Sequence, residues 1–290
     1  MTAGEHLRSR LAEPGIHIAP AVYDCLGALI AEQVGFHLIF SGGFSIAASR
    51  LGKPDMGYLT ATEMIQAARS IAQATAIPVI ADMDTGYGNP LNVIRTVEEA
   101  VSAGVAGIIL EDQVWPKRCG HMEGKQVISV AEHVEKIRAA RFAAQESGLV
   151  IVARTDARAI HGLQDAMARG ERYLEAGADM LFVEAPRSVE ELQTVAQRFP
   201  NQYLFANIIE GGKTPNLSAD ELQHMGYKVV VFALSALFAA TEALQNCLSH
   251  LKKHGTTDGL AHTMNFKAFE QVIRLERHHA LEKKFQPCKE

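Results

Sequence analysis

The stretch Gly107-Ile108-Ile109-Leu110-Glu111-Asp112 joins a short apolar run to two acidic residues. A continuous apolar run is typical of a parallel strand that is covered on both faces. Seven further runs of this kind recur along the chain. The eight predicted strands are residues 16–19, 37–40, 78–81, 107–110, 150–153, 180–183, 203–206 and 229–232.

Helix signals lie between these strands. Ser/Thr-x-x-Glu spacings begin at Thr60, Ser188 and Ser218 and predict capping boxes, in which a hydroxyl and a carboxylate satisfy free backbone donors. Asn89-Pro90 has the order of a helix cap followed by a first-turn proline. The chain therefore alternates strands with helices.

Eight strand–helix repeats favour an α/β fold of the (β/α)8 TIM barrel type over a doubly wound sheet. A doubly wound sheet usually places a glycine-rich turn after its first strand. Here the first strand leads into Pro20-Ala21-Val22-Tyr23-Asp24, which contains no glycine. We predict a single barrel domain over residues 1–290, with residues from about 255 to 290 forming an additional C-terminal helical extension used in oligomerisation.

Composition and charge argue against several partner classes. The chain has 290 residues, and 28 Lys and Arg against 33 Asp and Glu give a net charge of −5. It lacks the positive excess that attracts nucleic acid or anionic lipid. No apolar run approaches the roughly 20 residues that span a bilayer, and residues 1–6 show no signal-peptide pattern. We expect a cytoplasmic protein with no nucleic-acid or membrane partner.

The four cysteines, Cys25, Cys119, Cys247 and Cys288, form no C-x-x-C pair. This spacing argues against a structural zinc site and a redox dithiol. Only Cys119 has a cation and an imidazole within two residues, so we expect the other three to carry no chemistry.

Polar residues follow most of the predicted strands, where the active site of a barrel lies. In strand order they are Ser41-Gly42-Gly43, Asp82 with Asp84, Glu111-Asp112, Arg154-Thr155-Asp156, Glu184 and Asn207. Crowded carboxylates repel one another unless a cation offsets their charge. Oxygen ligands without nearby His or Cys pairs favour Mg²⁺, with Mn²⁺ as a substitute. The alternative is that these acids merely cap the helices that follow.

The segment after the fourth strand, residues 113–125, is long, polar and punctuated by glycines, as lids often are. It places Lys117, Cys119 and His121 within five residues. A thiol with a pKa near 8.5 is mostly protonated at neutral pH, can donate a proton to a carbanion, and can be tuned by nearby cations. The alternative is an exposed loop with a chance cysteine.

Helical patterns also follow the eighth strand, near residues 242–253 and again from about 266 to 284, separated by Gly255-Thr256-Thr257. A single barrel does not need this tail. We expect it to contact another subunit, although packing on its own chain is the alternative.

The motif Lys117-Arg118-Cys119-Gly120-His121, with segments 82–86, 110–113, 153–157 and 207–215, resembles the isocitrate lyase/phosphoenolpyruvate mutase superfamily. Residues 114–116 and 122–125 are most similar to 2-alkylmalate lyases and oxaloacetate acetylhydrolases, the petal death protein-like enzymes. The resemblance implies a Mg²⁺-dependent barrel that assembles as a homotetramer, a dimer of dimers, with terminal helices exchanged between subunits.

The resemblance also implies roles for individual residues. Asp84 would bind the metal directly, while Asp82, Glu111 and Asp55 would hold its waters. The α-carboxylate of the substrate would bind Ser41, Gly42 and Gly43 with help from Arg154. The other substrate-binding residues implied are Tyr23, Gly120 and Asn207. Catalytic roles would fall to Lys117, Cys119, His121 and Glu184.

The implied reaction is carbon–carbon cleavage of a small dicarboxylate, either a 2-hydroxy acid such as a 2-alkylmalate, dimethylmalate or methylisocitrate, or hydrated oxaloacetate. Cys119 would protonate the resulting enolate. The carboxyphosphonoenolpyruvate mutase branch shares the Lys-Arg-Cys-Gly-His lid, so a phosphonomutase is an alternative. An oxaloacetate decarboxylase and a non-catalytic metabolite-binding barrel are further alternatives. Phe232-Ala233 replaces the aromatic-proline pair often found in lyases of larger tricarboxylates.

Overall fold

Eight parallel strands close into a barrel in sequence order in the computed structural model, which describes residues 1–261 and 263–286. The predicted (β/α)8 fold is therefore confirmed, and each predicted apolar run overlaps a strand. Cys288 lies outside the described residues. The strands are β1 (His17–Val22), β2 (Ile39–Ser41), β3 (Val79–Asp82), β4 (Gly107–Glu111), β5 (Val150–Thr155), β6 (Met180–Val183), β7 (Tyr203–Ile208) and β8 (Val229–Phe232).

Helices connect successive strands and continue after the last one. They are α1 (Ala3–Ala12), α2 (Cys25–Val34), α3 (Gly43–Leu51), α4 (Ala61–Ala74), α5 (Pro90–Ser102), α6 (Val130–Ala143), α7 (Arg158–His161), α8 (Leu163–Glu175), α9 (Val189–Arg198), α10 (Ala219–Met225), α11 (Ser235–His254), α12 (Phe266–Val272) and α13 (Leu275–Lys284). Within the described ranges, no helix is long and apolar enough to cross a membrane.

The helix α1 precedes the first strand and was not expected from the sequence. Its Leu7 and Leu11 are buried with the residues that fill the barrel interior. The helix begins with a complete capping box, in which the Thr2 hydroxyl accepts from the Glu5 amide and Glu5 accepts from the Thr2 amide. That Thr-x-x-Glu spacing was the available signal.

Three phenylalanines inside the barrel form the floor of a cavity at the carboxyl ends of the strands. Phe205 contacts Phe182 at a ring-centroid distance of 4.9 Å and Phe40 at 6.3 Å. Each comes from a different strand, and each packs with the buried apolar core below the strand ends. The polar groups at the strand ends therefore stand on a rigid apolar layer.

The predicted caps at Thr60 and Ser218 are complete capping boxes. The prediction at Ser188 is only half right. The Ser188 hydroxyl accepts from the Glu191 amide at 3.2 Å, but the Glu191 carboxylate accepts from the Arg187 amide at 2.7 Å. Glu191 also binds the guanidinium of Arg158, which draws its carboxylate away from the Ser188 amide.

The second helical stretch of the tail is broken into α12 and α13 at Arg274, whose φ is 57°. Arg274 pairs with Glu32 of α2, and the Gln33 side-chain amide donates to the Val272 carbonyl at 2.8 Å. The tail therefore contacts the barrel of its own chain through α12. Contact with another subunit stays a prediction.

One buried histidine in a barrel helix affects the stability of the fold at acid pH. His133 of α6 is fully buried, and its ring meets the Tyr173 ring edge-on at 4.6 Å. Burial, reinforced by the nearby cations Lys136 and Arg169, lowers the pKa of His133 from 6.5 to about 3. The native protein therefore keeps this imidazole neutral in a pH range where the unfolded chain protonates it.

We expect His133 to make the fold acid-labile. Its native pKa is depressed, so its stabilising effect is complete above pH 6.5 and falls as the pH drops towards 3. The loss approaches ~1.4 kcal/mol per pH unit. In urea unfolding at pH 7.5 and 5.5, His133→Phe should lose less free energy of unfolding than the wild type. Equal losses in the two proteins would contradict this assignment.

Candidate active site

A cavity of about 50 Å³ lies at the carboxyl ends of the strands. Its walls contain most of the residues predicted from the sequence. They are Gly42, Gly43, Asp55, Asp82, Cys119, Gly120, His121, Arg154, Glu184 and Asn207. The side chains of Ser41, Asp84, Glu111 and Lys117 are buried but are not part of the cavity lining. Tyr23 is not part of the lining either and packs against the apolar cluster around Ile46.

The loop after β3 holds two carboxylates in a fixed arrangement. Asp84 has a left-handed backbone conformation, with φ of 46°, which aspartate tolerates better than most residues. Its amide donates to Asp82 Oδ1 at 3.1 Å, and the Gly43 amide lies 3.4 Å from Asp82 Oδ2. Asp82 thus connects the ends of β2 and β3.

Lys117 from the segment after β4 provides positive charge among these acids. Its Nζ lies 2.7 and 2.8 Å from the two Asp55 carboxylate oxygens and 2.8 Å from Asp84 Oδ1. Burial raises the pKa of Asp84 to about 6, with Lys117 opposing the shift and Asp82 adding to it. The site is short of positive charge even with the lysine in place.

The donor set fits a hard cation that keeps part of its water shell. Both carboxylate oxygens of Glu111 are buried and accept no hydrogen bond from the described residues. Burial raises the pKa of Glu111 well above its ordinary value. Within residues 1–261 and 263–286, no three His, Cys, Asp or Glu side chains form a metal-binding group by themselves. Carboxylate oxygens such as those of Glu111 are the ligand type that hard cations such as Mg²⁺ prefer.

Arg154, at the end of β5, is the permanent cation of the cavity wall. Its Nε and Nη2 donate to the two Asp156 oxygens at 2.9 and 3.1 Å. Nε also lies 3.3 Å from Glu111 and 3.5 Å from Glu184, and the guanidinium lies over the Phe182 ring. These contacts hold the guanidinium in an orientation that can bind a carboxylate.

A buried network behind Arg154 was missed as part of the site. Asp112 accepts from the Thr155 hydroxyl at 2.7 Å, the Asp156 amide at 2.9 Å and the Tyr173 hydroxyl at 2.9 Å. Asp112 and Asp156 both follow predicted strands, and this position was their only sequence signal. Lys125 completes the network by donating to Asp156 at 2.7 Å.

Residues 113–128, which we call the lid, fold over the cavity. At its base, the Val114 amide donates to the Gln126 carbonyl at 2.8 Å, and the Cys119 amide donates to the Asp55 carbonyl at 3.1 Å. A Cβ atom at Gly120 would lie 2.4 Å from Glu184 Cδ, so only glycine allows this close approach. The structure therefore shows the lid closed.

Burial controls the thiol of Cys119 more than nearby cations do. It raises the pKa of Cys119 to about 11, with Asp55 and Glu184 adding to the shift and Arg154 opposing it. We had expected the cations of the lid to tune this thiol, but desolvation is the larger effect. Cys119 is therefore protonated at neutral pH.

His121 is held between the lid and β6. Its Nδ1 accepts from the Lys213 amide at 2.9 Å, so a neutral ring carries its proton on Nε2. That Nε2 lies 3.1 Å from Glu184 Oε1. Arg154 and His121 together keep the pKa of Glu184 below its ordinary value, although burial opposes them. Glu184 is therefore an anion that faces the cavity.

Comparisons with known proteins identify relatives of this chain. A family model described as phosphoenolpyruvate phosphomutase matches residues 7–252. The chain is 48% identical over 280 residues to the chloroplastic carboxyvinyl-carboxyphosphonate phosphorylmutase of Arabidopsis thaliana, covering 95% of this chain and 82% of that protein. It is 41% identical over 278 residues to 2,3-dimethylmalate lyase of Eubacterium barkeri, covering 96% of each.

A solved structure is also similar. Oxaloacetate acetylhydrolase in complex with the inhibitor 3,3-difluorooxalacetate superimposes with a TM-score of 0.93 and 34% sequence identity. The match covers 98% of this chain and 97% of that chain.

Proposed function

The chain belongs to the isocitrate lyase/phosphoenolpyruvate mutase superfamily, and we propose that it is a Mg²⁺-dependent lyase of small dicarboxylates. The substrate is a 2-hydroxy dicarboxylate, such as a 2-alkylmalate or dimethylmalate, or hydrated oxaloacetate. The observation that carries the proposal is the position of the Cys119 thiol, which the closed lid places on the same cavity as Arg154 and Glu184.

The cavity walls support a compact substrate. Arg154 is the single Arg or Lys among the lining residues of the described chain. The apolar lining residues at and after the ends of β7 and β8 are Ile209, Val231, Ala233 and Leu234. One permanent cation can pair with one carboxylate of the substrate. A bound metal ion would interact with the other polar groups of the substrate. A tricarboxylate would need more positive charge than this wall supplies, so methylisocitrate fits less well.

Each polar group has a proposed task in the cleavage. The Gly43 amide, Ser41 and Arg154 bind the α-carboxylate, which orients C2 over the acidic cluster. Asp84 would hold Mg²⁺, with Asp82, Glu111 and Asp55 binding its waters. When bound, Mg²⁺ supplies electrophilic stabilisation of negative charge on the 2-oxygen.

Bond cleavage then follows ordinary retro-Claisen chemistry. A base at the cavity accepts the proton of the 2-hydroxyl and later releases it to solvent. C2 becomes a carbonyl as the C2–C3 bond breaks, and the electron pair of that bond leaves with C3, whose fragment is a carboxylate enolate. The Cys119 thiol donates its proton to C3, and the thiolate is later reprotonated from solvent. The closed lid excludes water while the enolate exists. His121 and Glu184 orient the reacting groups beside the thiol.

A phosphonomutase is the second candidate. The relative with 48% identity is named carboxyvinyl-carboxyphosphonate phosphorylmutase. A substrate panel separates the two reactions. We expect 2-oxo acid or oxalate release from a 2-alkylmalate, 2,3-dimethylmalate or oxaloacetate, with Mg²⁺ or Mn²⁺ required and excess chelator abolishing turnover.

Other outcomes of the panel would replace the proposal. Phosphonate formation from carboxyphosphonoenolpyruvate would identify a mutase, and pyruvate with carbon dioxide from oxaloacetate would identify a decarboxylase. Absence of turnover with tight Mg²⁺-dependent oxalate binding would identify a metabolite-binding protein. Full activity in excess chelator would remove Mg²⁺ from the mechanism.

Replacing the thiol tests the protonation step. Cys119→Ser puts a far less acidic hydroxyl in place of the thiol, so turnover should fall by about 10²- to 10⁴-fold. Oxalate affinity, measured by calorimetry with Mg²⁺, should be retained because the carboxylate contacts do not involve Cys119. Cys25→Ser, the same change at an exposed thiol, is the control.

Two other outcomes would contradict the proposed role. A parallel loss of turnover and oxalate affinity would make Cys119 a packing or lid-closure residue. Unchanged turnover would show that the thiol is not the proton donor.

We also propose that the chain assembles as a homotetramer through its C-terminal helices, with residues from about 255 to 290 as the oligomerisation extension. The 20-residue helix α11 has no buried residue, and its Leu244 and Leu248 side chains are more than 60% exposed. Leu281 and Phe285 are exposed as well. Apolar side chains repeated along a helix are costly to leave in water and suit a subunit interface.

Charged substitutions should weaken this assembly. Leu244→Glu with Leu248→Glu should lower the mass measured by light scattering below that of a tetramer of 31.5 kDa chains. Gln245→Glu adds charge at an exposed polar position of the same helix and should leave the mass unchanged. Deletion of residues 256–290 tests the extension. A wild-type monomer would overturn the proposal.

A further inference from the structure

Lys125 is a buried lid cation to which the cleavage chemistry assigns no task. Its side chain is only 2% exposed. Its Nζ contacts the carbonyl of Gly120, the lid residue packed against Glu184, and donates to Asp156 Oδ1 at 2.7 Å. One ammonium group therefore joins the tip of the lid to the end of β5.

Asp156 is fixed to the barrel and does not move with the lid. Its amide donates to Asp112 Oδ1 at 2.9 Å, and Asp112 is itself held by Thr155 and Tyr173. The carboxylate of Asp156 also receives both donors of Arg154. The Lys125 contact therefore ends on the same carboxylate that orients the proposed substrate-binding guanidinium.

We propose that Lys125 is a positioning residue that latches the lid and couples its closure to the orientation of Arg154. In the closed lid, Lys125 is desolvated, and Asp156 and the Gly120 carbonyl replace its hydration. In an open lid the ammonium returns to water, and Asp156 retains Arg154 alone. The role of Arg154 in this coupling rests on the proposed function, whereas the latch itself rests on the contacts of Lys125.

A second lid ion pair provides a matched comparison. Lys213 pairs with Glu123, but the Glu123 side chain is 85% exposed, so this pair adds little stability. Removing the Lys213 side chain also retains its backbone amide, which donates to His121 Nδ1. Lys213→Met is therefore the control for Lys125→Met.

Two measurements report lid closure and do not require the enzyme to turn over a substrate. Trp115, the single tryptophan, lies at the lid base with its ring 5.9 Å from that of Tyr87. The Arg118 side chain is exposed, but the Gln113 side chain holds its backbone amide and carbonyl in the closed lid, at 3.0 and 2.8 Å. Trypsin cleavage after Arg118, followed by mass spectrometry, therefore reports lid opening. Both signals are measured with Mg²⁺ and saturating oxalate as the probe.

Lys125→Met should raise the rate of cleavage after Arg118 on the order of tenfold and shift Trp115 fluorescence. Turnover should fall by up to about 10²-fold, with a smaller change in KM, because Arg154 stays bound to Asp156 but is no longer tied to the lid. Lys213→Met should match the wild type in all readouts. Lys125→Gln, which keeps a donor without the charge, provides a second variant if the methionine variant misfolds.

Wild-type protection of Arg118 in Lys125→Met and Lys125→Gln would overturn the latch. Equal opening in Lys213→Met would also overturn it, since any lid charge would then have the same effect. If the wild type turns over no substrate in the panel, the proposed function fails while the protection experiment still decides the role of Lys125.

Discussion

The negative charge of the buried carboxylates must be offset by cations, and the whole site depends on this constraint. Asp82 and Glu111 lie at the ends of β3 and β4, while Asp84, Asp156 and Glu184 follow β3, β5 and β6. With Asp55 this set contains six acids, and the buried cations that contact them are Lys117, Lys125 and Arg154. Burial raises the pKa of Asp84 and Glu111, and the neighbouring carboxylates add to the rise while Lys117 and Arg154 oppose it. A divalent cation would offset most of the excess negative charge, which is the physical basis for proposing Mg²⁺.

The lid takes part in this balance of charge. Lys117 and Lys125 both belong to it, so opening the lid would remove two of the three cations and leave Arg154 alone among the acids. Closure would bring the cations back together with the Cys119 thiol and His121. Closure of the lid would therefore both pair its lysines with the buried acids and assemble the reacting groups. The same closure would exclude water.

The sequence predicted those features of the fold and of the site that depend on local patterns of residues. Apolar runs located all eight strands, and the residues after them supplied most of the cavity wall, because the carboxyl ends of barrel strands meet at one end. Contacts between distant residues left no such pattern. Lys125 and Asp156 are 31 residues apart, and the break at Arg274 depends on Glu32 of α2. The pKa of Cys119 could not be anticipated either, because burial by the closed lid outweighs the adjacent cations.

The cavity is divided in a way that separates chemistry from selectivity. Its charged groups come from the β2–β6 side and the lid, and they suit the parts that all proposed substrates share, a carboxylate next to an oxygen on C2. The β7–β8 side supplies Asn207 but otherwise apolar residues, among them Ile209 and Leu234. An alkyl group on the substrate gains free energy only where it leaves water, so its place is against this wall. We therefore expect residues of the β7 and β8 loops to control which alkyl group of the proposed substrate fits, and the charged wall and the lid to control the proposed reaction.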